Sequence, residues 1–326
     1  MVKRVRLSYG TAVQLGLSNG SQDPCFSTAF LMTYRGQKCD ANCAFCPQAN
    51  QSTSSSDRLS RISWPVFDLK TVLDGWPQGR SFQRICIQCL NYDQVVDDVV
   101  FLLERMRDIS KLPISVSIHP VSSIDMKRLR DSGATNIGIA IDACTPALFD
   151  EIKGTKRGQL YRWSTHLKAI EDALQIFGTG NVTTHLIIGL GETEAEAVEF
   201  LFDMYSQNVN VGLFAFTAIP GTSLASREQP DLGSYRRIQV VRYLIANGKL
   251  NRNQVSEDST GKISLEMGIE ELETLLKSGI AFQTTGCKGC NRPFYNESPR
   301  GPIYNYPRPL TESEIGKSIQ DTKLVI

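Results

Sequence analysis

Apolar residues along this chain follow two alternating rhythms. Helix-like spacing, with an apolar residue every third or fourth position, predicts helices over Pro65 to Trp76, Val95 to Ile109, Ile124 to Ser132, Arg162 to Phe177, Glu194 to Tyr205, Ser234 to Asn247 and Ile269 to Lys277. Short apolar runs predict strands at Phe26 to Tyr34, Arg84 to Gln88, Ile114 to His119, Ile137 to Asp142, Thr183 to Ile188, Gly212 to Ile219, Ile263 to Leu265 and Ile280 to Thr284. Strands that alternate with helices pair in parallel through right-handed crossovers. Eight such units predict an α/β protein built as a (β/α)8 TIM-type barrel.

Around that barrel the pattern changes. Val5 to Leu17 is weakly amphipathic and ends in a turn rich in Gly, Ser, Asn and Asp, so residues 1–24 read as an N-terminal helical extension. The barrel then occupies 25–285. Residues 286–326 form a tail whose prolines favour extended segments that fold back over the barrel mouth. The Ser-rich stretch from Gln51 to Ser60 reads as a mobile, solvated connection.

Composition narrows the partners. The chain has 326 residues and a formal net charge of +1, which supplies no basic field for nucleic acid. No apolar run is long enough to cross a bilayer, and the basic start of the chain is not followed by the apolar stretch of a signal peptide. Nine cysteines without a secretion signal point to a reducing, cytoplasmic setting, in which they are metal ligands or core thiols.

Three of those cysteines stand out. Cys39-Asp-Ala-Asn-Cys43-Ala-Phe-Cys46 places three thiols within eight residues, directly after the first predicted strand. Thiolate is the soft ligand that iron–sulfur clusters select. A loop that ligates three irons of a [4Fe-4S] cubane leaves the fourth open to a small molecule, which makes Cys39, Cys43 and Cys46 the candidate catalytic and metal-binding residues. A zinc knuckle or a redox dithiol is the alternative, but a zinc site uses paired cysteines, and no second CxxC pair or histidine close to this loop completes one here.

At these residues the chain resembles the radical S-adenosylmethionine (SAM) superfamily, whose motif is CxxxCxxC with an aromatic before the last cysteine; Phe45 fills that place. The resemblance implies SAM chelated at the open iron and a 5'-deoxyadenosyl radical that abstracts hydrogen from an unactivated carbon. Three segments, CDANCAFCPQ from Cys39, RICIQCLN from Arg84 and GCKGCNRPFYN from Gly286, resemble the biotin synthase and lipoyl synthase branch. The nearest likeness is to the subunits of the archaeal-type two-protein lipoyl synthases. That implies sulfur insertion into an octanoyl or mercapto-octanoyl chain on a carrier protein, an H protein or an E2 lipoyl domain. It also implies a second lipoyl synthase subunit and an electron donor such as ferredoxin or flavodoxin. A radical SAM enzyme whose second cluster only transfers electrons is the rival reading, and a non-enzymatic metal-binding protein is a more distant one.

The same resemblance assigns strand ends to SAM. Gln88, Cys89 and Leu90 fall where backbone groups meet its amino group, and Asp142 falls where biotin synthases place an aspartate on the ribose; a plain strand end and a helix N-cap are the structural alternatives. His185 to Thr193 (HLIIGLGET) resembles the fifth-strand motif beside the adenine, which includes Ile188, and Ile219 belongs to the corresponding sixth-strand end. Arg157 and Arg162 follow the fourth strand and suit a carboxylate, since arginine binds one in a fork; each also reads as a solvated helix-end charge.

Cys287-Lys-Gly-Cys290 follows the eighth predicted strand and suggests an auxiliary [4Fe-4S] cluster at the barrel mouth, with Cys25 as a possible third ligand and the fourth open. Cys86 aligns with the second-strand cysteine of the biotin synthase auxiliary cluster. Its partners there are missing, because the third strand has no cysteine and the fifth has Thr183, which argues against a site deep in the barrel. Cys144 reads as a buried thiol, and His119, His166 and His185 as core histidines without a catalytic role.

Overall fold

The computed structural model describes residues 2–23, 25–77 and 82–324. Its centre is an eight-stranded, mostly parallel sheet wrapped by helices. In chain order the strands are β1 (Arg4–Leu7), β2 (Thr28–Met32), β3 (Val66–Asp68), β4 (Arg84–Gln88), β5 (Ile114–Ser117), β6 (Asn136–Gly138), β7 (Val182–Ile188) and β8 (Asn210–Ala215). Their spatial order is β8-β7-β6-β5-β4-β2-β1-β3. From β2 to β8 every pairing is parallel, while β1 runs antiparallel to both β2 and β3. The predicted α/β class and TIM-like layout therefore stand, and six of the eight predicted strands lie in the sheet.

The other two sheet strands come from unexpected places. The spacing predicts a helix from Val5 to Leu17, but its first residues belong to a strand, Arg4–Leu7: Arg-Val-Arg-Leu alternates with period two, and Val5 and Leu7 are fully buried. Only Tyr9–Gln14 is helical, capped by Ser8, whose Oγ accepts from the Thr11 N–H at 3.3 Å. Likewise Val66–Asp68 is a strand at the head of the predicted Pro65 to Trp76 helix, which is confined to Leu69–Asp74. Conversely, Ile263–Leu265 pairs only with Val255–Glu257 as a separate hairpin, and Ile280–Phe282 is a single 3-10 turn. Three-residue apolar runs carry no mark of the partner they will find.

The long helices follow their apolar spacing. In Val95–Ile109 the buried residues are Val95, Val99, Leu102, Leu103 and Met106, one face of a helix against the sheet. Glu194–Ser206 starts at a capping box in which Thr193 and Glu196 satisfy each other's backbone N–H groups. Among the described residues no helix is long and apolar enough to cross a membrane.

The spatial order ends at β8 on one side and β3 on the other, and the tail fills the seam between them. Thr285 Oγ1 accepts from the Leu213 N–H at 2.7 Å, and Thr217 donates to the Asn296 carbonyl at 2.7 Å. On the other flank Ser60 donates to the Tyr295 carbonyl at 2.6 Å, and the Tyr295 ring packs on Phe30 and edge-on to Trp64, with centroids 5.1 and 6.1 Å away. Further along, the buried Arg236 guanidinium donates to the Ile303 and Tyr304 carbonyls, both at 2.6 Å, and pins the tail to the helix Leu232–Ala246.

Candidate active site

The loop after β2 carries Cys39, Cys43 and Cys46 at the C-terminal ends of the strands, and it is braced on every side. Cys39 Sγ accepts from the Asn91 N–H at 3.0 Å, the Ala44 N–H donates to the Ile152 carbonyl at 2.8 Å, and the Leu224 N–H reaches the Ala44 carbonyl at 3.3 Å. Lys38 turns its ammonium inward to three carbonyls, those of Pro47, Ser52 and Ser54, at 2.6 to 2.9 Å. The Ser-rich stretch is solvent-facing, with none of residues 51–60 buried, but it is anchored and not loose. It docks on Gly221, whose carbonyl accepts from Ser52 Oγ and from the Thr53 N–H, both at 2.9 Å. Only glycine fits there: φ is +85°, and a Cβ would lie 2.4 Å from the Ser54 nitrogen.

Burial pushes all three thiols up, Cys43 to about 11. At Cys43 the nearby Lys153 opposes the rise while Asp142 and Cys39 add to it; at Cys46, Cys43 and Cys39 both add. The three thiols are close enough to feel one another's charge, and a metal would have to displace their protons. Among the described residues no three Cys, His, Asp or Glu side chains converge on one point as the ligands of a single metal ion do.

Below this loop the strands enclose a cavity of about 190 Å³. Phe45 and Cys46 line its upper end, together with Asp142, His185 and Ile219. Asp142 is left-handed at φ +69°, an unusual conformation for a non-glycine residue, and its buried carboxylate accepts from Lys153 Nζ at 2.7 Å. His185 Nδ1 lies 4.0 Å from Asp142, but burial lowers this histidine to about 4, so at neutral pH it is a neutral neighbour and not an ion-pair partner.

The lower end is built from a second group of thiols. Residues 286–291 cross the N-terminal ends of the strands as a floor, where Gly289 accepts from Ser27 Oγ at 2.9 Å and Lys288 accepts from Arg84 Nε at 3.0 Å. This brings Cys287 and Cys290 to the cavity beside Cys86 of β4. Burial raises the Cys86 thiol, and Cys290 and Cys287 raise it further. Ser115 Oγ lies 3.3 Å from Cys287 Sγ, and Gln88 Nε2 lies 3.1 Å from Cys86 Sγ. Two guanidiniums attend the group. Arg84 is buried and donates to Ser115 Oγ at 2.6 Å and Asn136 Oδ1 at 3.0 Å; Arg292 stands 3.7 Å from Cys290 Sγ and over the Phe214 ring. Among the described residues neither forms a salt bridge with a carboxylate.

The predicted residues thus divide. Phe45, Cys46, Gln88, Asp142, Ile219, Cys287 and Cys290 line one cavity, with Cys39 and Cys43 in the loop above it. Leu90 and Cys89 stand beside it: the Leu90 N–H donates to Thr33 Oγ1, the Cys89 N–H to the Ser117 carbonyl. Ile188 is core, and its carbonyl accepts from the Phe216 N–H. Arg157 braces the cysteine loop through the Asn42 carbonyl and Ser223, and Arg162 donates to the Gln159 and Tyr161 carbonyls; neither lines the cavity. Cys25 is exposed and off the cavity, and its place beside Cys287 and Cys290 is taken by Cys86. The CxxC itself lies at the floor and not at the mouth. Lys153 and Ser115 carry no local signal, because each reaches the site from a part of the chain without a cysteine motif, whereas Arg84 and Arg292 sit two residues from Cys86 and Cys290 within segments already singled out. In the GLGET turn, Glu192 folds back to accept from the Gly189, Leu190 and Gly191 N–H groups at 2.6 to 3.1 Å.

Sheet and helices together define a TIM-like α/β fold. Among solved structures, the chain is similar to methylornithine synthase (PylB), with a TM-score of 0.52 and 15% identity over 69% of this chain and 63% of that one. It is also similar to HydG, a maturase of the [FeFe]-hydrogenase, with a TM-score of 0.50 and 13% identity over 69% of this chain and 51% of that one. The chain therefore spans less than two thirds of either protein, and at these identities the likeness is one of fold. No protein-family model matches the chain.

Proposed function

We propose that this protein is a radical SAM enzyme that inserts sulfur into an octanoyl or mercapto-octanoyl chain on a lipoyl carrier protein, working as one of two lipoyl synthase subunits. The observation that carries the reading is the two-ended cavity: Cys46 at the top, Cys86, Cys287 and Cys290 at the bottom, and a largely apolar wall between them. An inert C–H bond held between two iron–sulfur sites meets a hydrogen-abstracting centre on one side and a sulfur source on the other.

The residues fit both groups. Cys39, Cys43 and Cys46 would hold a [4Fe-4S] cluster with SAM at its open iron, and Cys86, Cys287 and Cys290 would hold the auxiliary cluster. When bound, the two clusters and SAM supply the one-electron chemistry and the sulfide. The chain supplies the rest. Phe214 and Phe216 give the cavity an apolar wall that suits an alkyl chain and excludes water. Asp142 offers its carboxylate toward a ribose, while Arg84 favours the deprotonated form of Cys86 and Cys290 and Arg292 that of Cys290, a role for two cations that lack a carboxylate partner among the described residues. The carrier is an octanoylated H protein or E2 lipoyl domain, and a ferredoxin or flavodoxin provides electrons.

Anaerobic iron and sulfide quantitation with Mössbauer spectroscopy tests this. About eight irons are expected on the reconstituted protein, about four on a Cys39/Cys43/Cys46→Ala variant and about four on a Cys287→Ala/Cys290→Ala variant, from thiolate ligation of two cubanes. The second variant is expected to cleave SAM without making thiolated octanoyl product. Four irons on the parent protein, or thiolated product from the second variant, rejects sulfur insertion from an auxiliary cluster.

A further inference from the structure

Lys153 and Asp142 form a buried pair beside the cysteine loop, with Asp142 lining the cavity, and packing alone does not account for it. Both side chains are under a tenth exposed. Lys153 Nζ donates to Asp142 Oδ2 and to the Ala140 carbonyl, each at 2.7 Å, and lies within 5.8 Å of the Phe149 and Tyr161 ring centres. Burying an ammonium is costly, and an apolar side chain of the same length would fill this space more cheaply. The backbone also fixes where the charge sits. The Ile152 carbonyl, in the peptide just before Lys153, accepts from the N–H of Ala44, the residue after Cys43. The backbone that carries Lys153 is thereby tied to the cysteine loop, and its ammonium to a backbone-strained, cavity-lining carboxylate.

We propose that Lys153 is a positioning residue that places a positive charge beside Cys43, easing reduction of the metal group held by Cys39, Cys43 and Cys46, and that it holds the Asp142 carboxylate toward the cavity. The inference rests on the radical SAM reading of those three cysteines. Its logic is electrostatic. A cation near a cluster favours the state that carries one more electron, and an anion disfavours it. Lys153 and Asp142 therefore pull the potential in opposite directions, and removing either one exposes the other.

The test is an EPR-monitored redox titration of the reconstituted full-length protein, with the upper cluster identified by the change in its signal when SAM is added. Lys153→Met is expected to lower the midpoint potential of that cluster and to weaken SAM binding measured by equilibrium dialysis. Lys153→Arg, which keeps the charge, is expected to restore most of the potential. Asp142→Asn is expected to raise the potential while also weakening SAM binding. This opposite sign is what a merely structural lesion does not produce, and Asp142→Asn decides the matter if Lys153→Met fails to retain iron. Potentials that stay put, or that move the same way in both variants, overturn the inference while the radical SAM reading survives. A parent protein whose upper signal ignores SAM overturns both.

Discussion

The two thiol groups at the ends of the cavity are assembled by opposite strategies. The upper one is local: Cys39, Cys43 and Cys46 share one loop, and braces from Asn91, Ile152 and Leu224 only hold that loop in place. The lower one is global. Cys86 comes from the middle of β4, and Cys287 and Cys290 come from a floor laid across the strand starts by residues some two hundred positions away. A local site is written in spacing, whereas a global one is written in topology. The upper group should therefore tolerate damage to the tail that destroys the lower one.

Removing one lower ligand has the largest expected effect. Cys86→Ala is expected to cost the lower group its metal, halving the iron of the reconstituted protein, while Cys25→Ala leaves iron content unchanged; equal losses from both would return Cys25 to the ligand set. Next is the seam. Tyr295→Ala removes a ring packed on Phe30 and Trp64, and a loss of about 3–5 kcal/mol in urea unfolding is expected, as for other buried aromatic truncations. The same variant should lose lower-group iron before upper-group iron on mild denaturation, and simultaneous loss would erase the distinction between the two ends.

Gly221→Ala acts on the other end. A Cβ there meets the Ser54 backbone, and the left-handed φ adds strain, so about 1–3 kcal/mol of destabilisation is expected. The iron released first should be that of the upper group. The smallest effect is pH dependence. Burial lowers His166 to about 3, with Lys153 adding to the shift, against an unfolded value near 6.5. The unfolded chain then takes up its proton first as the pH falls below about 6.5, so stability declines from there toward pH 3. A His166→Gln variant should show a shallower decline over that window than the parent protein, and parallel curves would remove this histidine from the account.

Much of this was legible from residue order, for physical reasons that differ along the chain. The six parallel strands announced themselves because buried central strands are continuous apolar runs, and the cysteine loop because three ligands within eight residues need no tertiary information. The strand Arg4–Leu7 hides within the helix-like stretch Val5 to Leu17 despite its period-two alternation, since Ala12 and Val13 extend an apolar spacing that also suits a helix. The location of the CxxC was misjudged because the sequence places it after an apolar run that resembles a barrel strand. The actual turn, Ile280–Phe282, sends the chain down to the floor. Cys86 reads as lacking partners because the third and fifth predicted strands carry Ser115 and Thr183 where cysteines would stand. Its partners arrive from the tail, and no pattern within β4 reports that. Lys153 had no signature at all, being one of four basic residues between 153 and 162.

The tail that closes the seam between β8 and the β1 side also imposes an order on how the molecule is made. Its contacts with Ser27, Phe30, Ser60 and Trp64 join parts of the chain more than two hundred residues apart, the kind of closure that slows folding. During synthesis the upper cysteine loop and its strand exist long before residues 285–306, so one end of the cavity is ready for metal while the other is still a single thiol on β4. On the proposed assignment of the two thiol groups, metal would reach the molecule in two stages, the second only after the barrel is sealed.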